Sequence, residues 1–307
     1  MLVRMALFPQ AFQIGATGVF RMQDIVFVGF GEAGQAFAKG LRPASLRIAG
    51  YDLKLDAIAQ ADLCRQALAQ LDVLPCGLGD VGKAQVVICL VTADQALVAA
   101  RAAAPHLAQG AFWFDGNSCA PGTKQQAAAV IGAAGGRYVD LALMAPVHPL
   151  LHRTPMLASG PDAIAGAATL EALGMAATVV GDRVGQASSI KMLRSVIIKG
   201  LEALTAESFL AARAAGVEEA VIASLQASDP GFDWARRGAY NLERMLVHGA
   251  RRAAEMTEVA VTLRQLGLPG RMTEATVQWQ TDLAALSVDP GPEDLAARAD
   301  VVLQALR

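Results

Sequence analysis

Residues 24–41 read DIVFVGFGEAGQAFAKGL. A short apolar run, of strand length, gives way to glycines and then to an alanine-rich stretch with helical spacing. Within it, Gly29-Phe30-Gly31-Glu32-Ala33-Gly34 follows the pattern GxGxxG. In a strand–turn–helix setting the first glycine allows a tight exit from the strand and the second lets a pyrophosphate approach the backbone. The third lets the helix pack closely on the sheet, and the helix amino end offers unpaired N–H groups to phosphates. Alone the pattern is unspecific. Here LRIAGYD at 46–52 reads as the next strand and ends in Asp52, the place in such a unit where a carboxylate accepts hydrogen bonds from the ribose of an adenosine half. Asp52 repels a 2′-phosphate, so NAD is expected over NADP, with Lys54 leaving NADP possible. Val91 and Thr92, at the end of a later strand, complete the expected cofactor-facing set.

Further strands are expected at 85–91 (QVVICLV), 111–115 (AFWFD), 138–144 (YVDLALM) and 178–180, with Met156 to Ser159 as another that can lie antiparallel. Helical patterns separate most of them, including a long one over 53–71, which predicts a mostly parallel sheet covered on both faces. After Gly181 the pattern becomes wholly helical: 186–215, 218–226, 234–266, 271–286 and 293–306, punctuated by Asp229-Pro230-Gly231, Leu268-Pro269-Gly270 and Asp289-Pro290-Gly291-Pro292. The expected organisation is an N-terminal extension at 1–23, a Rossmann-type α/β dinucleotide-binding domain at 24–184 and an all-helical substrate and oligomerisation domain at 185–307. Met22 is an alternative start. The stretch 1–22 is broken by Pro9, Gln10, Gln13 and Gly15, too interrupted for a transmembrane helix.

At 307 residues, 54% hydrophobic and 18% charged, the chain can bury large cores without disulfides or a structural metal. A net charge of -2 gives no general attraction to nucleic acid or anionic membrane, so neither is expected as a partner. Four scattered cysteines with no CxxC pair suit reduced thiols in the cytoplasm. His148 and His152 are four apart, but Pro149 and Pro155 interrupt a helix there and no third ligand stands nearby, so no metal is expected. Local hydrogen bonding and a substrate contact are both open for His148.

On the helix beginning near 186, Lys191 shares a face with Arg194 and Ser195, and Lys199 returns two turns on. An ammonium projecting from such a helix into an interdomain cleft can exchange a proton with an oxygen that changes between alcohol and carbonyl. The spacing fits a surface lysine equally well.

The chain resembles the β-hydroxyacid dehydrogenase superfamily, especially a 6-phosphogluconate-dehydrogenase-like branch, over roughly residues 24–300. The resemblance rests on GFGEAG at 29–34, DGNSCAP at 115–121, VDLALMAPV at 139–147 and GQASSIKMLRSVIIKG at 185–200. It implies that Lys191 is the catalytic lysine, assisting proton transfer while hydride moves to or from a nicotinamide, and that Asn117 and Ser118 lie on a loop facing cofactor and substrate. Two departures stand out. Ser195 occupies the position where the family usually has asparagine, and Met144-Ala145-Pro146 replaces a serine-glycine-glycine turn that cradles a carboxylate. Pro146 has no N–H and Met144 adds apolar volume, which points to a larger or less polar substrate. Arg194 is a candidate anion anchor, with pairing to a neighbouring acid or exposure to solvent equally open. Met144, His148, Arg194 and Ser195 thus join Asn117 and Ser118 as candidate substrate contacts, while Cys119 reads as a small buried contact. The resemblance further implies a small-molecule substrate and a homodimer built on the helical half. Imine or nonstandard carbonyl reduction, and a non-catalytic dinucleotide-binding regulatory or structural protein, remain alternatives.

Overall fold

β1 (Gln23–Val28) has Ile25, Val26 and Phe27 fully buried in succession. Successive strand side chains point to opposite faces, so such burial needs cover on both sides of the sheet. Ile25 and Phe27 join Phe37, Leu41, Ile88 and Phe114 in one core, whereas Val26 and Val28 join Val87, Trp113 and Ile131 in another. The computed structural model describes residues 23–41 and 46–306. Residues 1–22, with most of the expected extension and the alternative start at Met22, lie outside the described residues. Gln23, assigned to that extension by sequence, is the first residue of β1.

The first domain continues through α1 (Glu32–Leu41), β2 (Ile48–Tyr51), α2 (Ala61–Ala69), β3 (Leu74–Pro75), β4 (Ala84–Cys89), α3 (Ala96–Ala103), β5 (Phe112–Asp115) and α4 (Pro121–Ala133). It ends with β6 (Arg137–Leu143), β7 (Met156–Ser159), α5 (Ala163–Ala172) and β8 (Ala177–Gly181). One sheet runs β3-β2-β1-β4-β5-β6-β7-β8. All neighbours are parallel except β6 and β7, whose connection returns without a crossover helix. Strand order reverses direction between β1 and β4, which opens a crevice beyond their carboxyl ends.

The long helix expected over 53–71 is shorter. Asp52 accepts the Lys54 N–H and caps a tight 3-10 turn at Leu53–Leu55, and α2 begins only at Ala61. The two-residue β3 carries no periodicity that a sequence pattern can detect.

The second domain comprises α6 (Gln186–Ala214), α7 (Glu218–Ser228), α8 (Trp234–Gln265), α9 (Arg271–Ala285) and α10 (Leu295–Ala305). Asp233 and Asp294 cap α8 and α10 by accepting the N–H groups of Arg236 at 3.0 Å and Ala297 at 2.8 Å. Phe209, Leu242, Met245, Leu283 and Val302 form its core. Within it Glu202 is paired with Arg252 and accepts from Gln280 Nε2 at 2.8 Å.

Candidate active site

The glycine turn is shaped by two close approaches. Gly29 has φ +91°, and a Cβ there would meet the Leu90 carbonyl oxygen at 2.4 Å. A Cβ on Gly34 would come within 2.7 Å of the Gly29 carbonyl oxygen, so α1 lies tight against the end of β1. Gly31 instead opens onto free space, with nothing within 4 Å of a built Cβ. That opening is the cradle a pyrophosphate needs, and the residues present fit a dinucleotide. Phe30 is buried while its N–H donates to Asp52 Oδ2 at 2.8 Å, and Lys54 N–H donates to Asp52 Oδ1 at 3.0 Å. Each carboxylate oxygen keeps a second lone pair for a hydroxyl donor.

A cleft of about 800 Å³ runs across the carboxyl ends of the strands. Sheet order sets its layout: Asp52 and Lys54 after β2, Gly29 and Gly31 after β1, Val91 and Thr92 after β4, Asn117 and Ser118 after β5, and Leu143, Ala145, Pro146 and Val147 at and after the end of β6. Lys191 from α6 and Arg251 and Glu255 from α8 close it from the helical side.

Beneath this floor lies a buried ionic network. Asp115 and Asp140 are register partners in adjacent strands and both are fully buried. Lys124 of α4 donates to Asp115 Oδ1 at 2.9 Å and stands 3.3 Å from Asp140 Oδ1. Burial opposes the charge of Lys124, but the two carboxylates outweigh it and raise the pKa above the usual lysine range. Tyr138 donates its hydroxyl to Asp115 Oδ2 at 2.7 Å. Asp140 Oδ2 accepts the N–H groups of Gly185 and Ser188, each at 3.1 Å, and the hydroxyls of Ser188 and Ser159, each at 3.0 Å. A carboxylate of the sheet therefore caps α6, satisfying orphan donors at the positive end of its dipole. The cap fixes the first turn of the helix that carries Lys191.

Lys191 donates to Ser118 Oγ at 2.6 Å. Burial pushes its pKa down to about 8, and Lys199, Lys124 and Arg251 act in the same direction while Glu255 opposes them. Glu255 bridges Lys199 Nζ at 2.7 Å and Arg251 Nη1 at 2.6 Å. Burial works to raise the Glu255 pKa, but Lys199, Lys191 and Arg251 hold it at about 2.

Of the residues expected from sequence, Gly29, Gly31, Glu32, Ala33, Asp52, Val91, Thr92, Asn117, Ser118 and Lys191 line the cleft. Phe30 and Gly34 stand behind it and shape the turn. Asn117 lines it with its amide already engaged: Oδ1 accepts the Val91 N–H at 2.6 Å, and Nδ2 donates to Asp115 Oδ1 at 2.7 Å. Its side chain clips the loop after β4 to the loop after β5. Ser195 is buried, donates to the Lys191 carbonyl at 3.0 Å, lies 3.4 Å from Lys199 Nζ, and is absent from the cleft wall. Met144 is half-buried outside the wall, with its N–H bonded to the Pro155 carbonyl at 2.9 Å. His148 and Arg194 are exposed and away from the lining. Three residues along a helix leave Arg194 about 60° around from Lys191, enough to carry it from the packed face to the open one. Cys119 is buried, and burial pushes its thiol up to about 12, which removes it as a nucleophile.

Arg251 and Glu255 were not singled out by sequence. Their only signal is an i, i+4 charge pair far along the chain from Lys191, and the packing of α8 on α6 brings them to the site. Among the described residues, no group of three or more His, Cys, Asp or Glu is arranged to hold a metal, and no helix is long and apolar enough to cross a membrane.

Comparison with known proteins agrees with this architecture. The NAD binding domain of 6-phosphogluconate dehydrogenase matches residues 24–181, and a domain of unknown function, DUF1932, matches residues 212–283. The chain belongs to the NAD(P)-binding Rossmann superfamily related to the 6-phosphogluconate and 3-hydroxyacid dehydrogenases. Among solved structures, a conserved hypothetical protein from Sinorhizobium meliloti is 39% identical, covering 93% of this chain and 97% of its own, with a TM-score of 0.76. A conserved protein described as structurally similar to 3-hydroxyacid dehydrogenases is 31% identical, covering 86% of this chain and 98% of its own, with a TM-score of 0.70. A 28.5 kDa protein of Methanothermus fervidus is 27% identical over 179 residues, 58% of this chain and 68% of that protein.

Proposed function

We propose that the chain is an oxidoreductase that transfers hydride between a nicotinamide dinucleotide and a hydroxyacid-like alcohol or its carbonyl counterpart, with Lys191 as proton donor or acceptor. The observation that carries this is the placement of the Lys191 ammonium in the cleft that the GxGxxG turn opens onto. Backbone around Gly29, Gly31, Glu32 and Ala33 would hold the pyrophosphate, Asp52 the adenosine ribose, and Val91 and Thr92 the middle of the dinucleotide. When bound, the dinucleotide supplies the hydride acceptor or donor. Lys191 holds or releases the proton at the substrate oxygen, and Ser118, its 2.6 Å partner, fixes where the ammonium points. The apolar wall of Leu143, Ala145, Pro146 and Val147 excludes water from one side of the substrate.

Asp52 favours NAD over NADP, since a 2′-phosphate would meet its carboxylate. The division at 184/185 falls in the connection between β8 and α6, beside the Asp140 cap. Homodimerisation is proposed through the outer face of α6, where Ile190, Leu193, Ile197 and Leu204 are exposed at helical spacing. Four free cysteines suit the cytoplasm.

Fluorescence titration with NADH and NADPH, followed by a turnover screen of hydroxy acids and their carbonyl counterparts, tests the proposal. Saturable binding with coupled turnover is expected, with binding kept and turnover lost in Lys191→Ala. Absence of binding by either coenzyme, or full turnover in Lys191→Ala, overturns it. Turnover of imines alone would select C=N reduction instead.

A further inference from the structure

The helical side of the cleft holds a guanidinium for which the proposed proton transfer has no use. Arg251 projects from α8 into the lining with its side chain 53% exposed, and it pairs with Glu255. That bond uses Nη1, leaving Nε and Nη2 to donate elsewhere. Glu255 cannot neutralise the group alone, because its other oxygen is bound to Lys199. One carboxylate is thus shared between two basic side chains, with Lys191 close by.

The lining that follows β6 offers an anion little. Leu143, Ala145, Pro146 and Val147 present apolar surface, Pro146 has no N–H, and the neighbouring Met144 N–H is committed to Pro155. Besides Glu255, the acidic lining groups are Glu32 and Asp52, which follow β1 and β2.

We infer that Arg251 is the anchor for the substrate's carboxylate or phosphoryl group, with the apolar body of the substrate against Leu143, Ala145, Pro146 and Val147. The inference rests on the oxidoreductase reading above and assigns the residue that selects an acidic substrate for it. A guanidinium with free donors binds either oxyanion through paired N–H groups.

Two aldehydes that differ only in a phosphate test it. Pyridoxal 5′-phosphate and pyridoxal each condense with the Lys191 amine, losing water to form an imine. Borohydride then delivers hydride to the imine carbon and fixes the label, which peptide mass spectrometry reads at Lys191. With NADH present, the phosphorylated aldehyde should label Lys191 about tenfold faster than pyridoxal, a ratio expected from charge-assisted anchoring. In Arg251→Met the ratio should fall to within about twofold of unity, whatever the loss in both rates as Lys191 gives up a neighbour that lowers its pKa, and Arg251→Lys should lie between. Protection by malonate selects a carboxylate substrate, and protection by inorganic phosphate a phosphoryl one.

Equal labelling by the two aldehydes in the unaltered protein, an unchanged ratio in Arg251→Met, or protection by neither anion overturns the anchor. So does a tenfold loss of NADH affinity in Arg251→Met, which would assign the residue to the cofactor. If the ratio collapses as expected while no nicotinamide coenzyme binds the unaltered protein, the anchor stands and the oxidoreductase proposal falls.

Discussion

Lys191 Nζ on α6 and Ser118 Oγ after β5 stand 2.6 Å apart, a single hydrogen bond that joins the helical domain to the sheet inside the cleft. Ser118 is therefore expected to act on the lysine's direction more than on its charge. Ser118→Ala should lower kcat about tenfold or more while NADH affinity stays within a factor of two, since misorientation of a proton-transfer group is costly. Stopped-flow turnover and coenzyme titration of the same preparation separate the two effects.

Burial pushes Lys191 down to about 8, and Glu255 is the group that resists this. Alcohol oxidation needs the neutral amine, so its kcat/KM should rise with pH and level off above about 8. Carbonyl reduction needs the ammonium and should decline over the same range. Glu255→Gln removes the opposing carboxylate and should move both profiles to lower pH; a shift to higher pH would contradict the assignment.

The same lowered pKa has a stability counterpart. Folded Lys191 binds its proton less tightly than the unfolded chain does, so below about 8 both states are protonated and the folded state bears the full desolvation penalty. Lys191→Met should stabilise the protein by about 1–3 kcal/mol at pH 7. The gain should shrink between about 8 and the unfolded value near 10.5, as read by urea denaturation across pH.

Lys124 neutralises two fully buried carboxylates. Replacing it with methionine leaves Asp115 and Asp140 adjacent and uncompensated, and should cost about 3–5 kcal/mol in urea unfolding at pH 7. A cost below about 1 kcal/mol would show that the pair does not depend on the ammonium.

Asp52→Asn removes the charge that faces an adenosine ribose while keeping an oxygen for one of its two backbone donors. The preference for NADH over NADPH should narrow by about tenfold, one charge contact being worth roughly 1.4 kcal/mol here. An unaltered ratio in paired titrations would mean that the carboxylate points elsewhere.

On α6, Ile197 is 70% exposed within the apolar outer stripe. Ile197→Glu should convert a dimer into a monomer in light scattering with the melting profile of each domain retained, whereas a monomeric unaltered protein would remove the dimer from the proposal.

The glycine turn and Asp52 were legible because their geometry is local: strand, turn, helix and strand end lie within one stretch of chain. The helical domain was legible from periodicity and from the aspartates that cap α8 and α10. What escaped was set by packing between distant segments. Lys124, in a helix of small and polar residues, carries the pattern of a solvent-facing lysine, yet its side chain is fully buried because Asp115 and Asp140 converge beneath it. Asn117 has the pattern of a ligand contact, and the meeting of two strand ends makes it a clip. Arg194 and Arg251 are equally plausible anion ligands by type, and only the crossing of α8 over α6 places one in the cleft and the other outside. Over 53–71 alanine content overstated the helix, because the Asp52 cap starts a different turn first.

Pinning α6 at its first turn through Asp140 also sets a lever. At about 1.5 Å per residue, Lys191 sits roughly 9 Å from the Gly185 pin and Ala214 roughly 44 Å from it. A tilt of about 5° about that pin swings the far end by about 4 Å yet shifts the base of Lys191 by no more than about 1 Å. The Lys191 ammonium thus stands close to the anchored end of α6, where a change in the helix's inclination displaces it least.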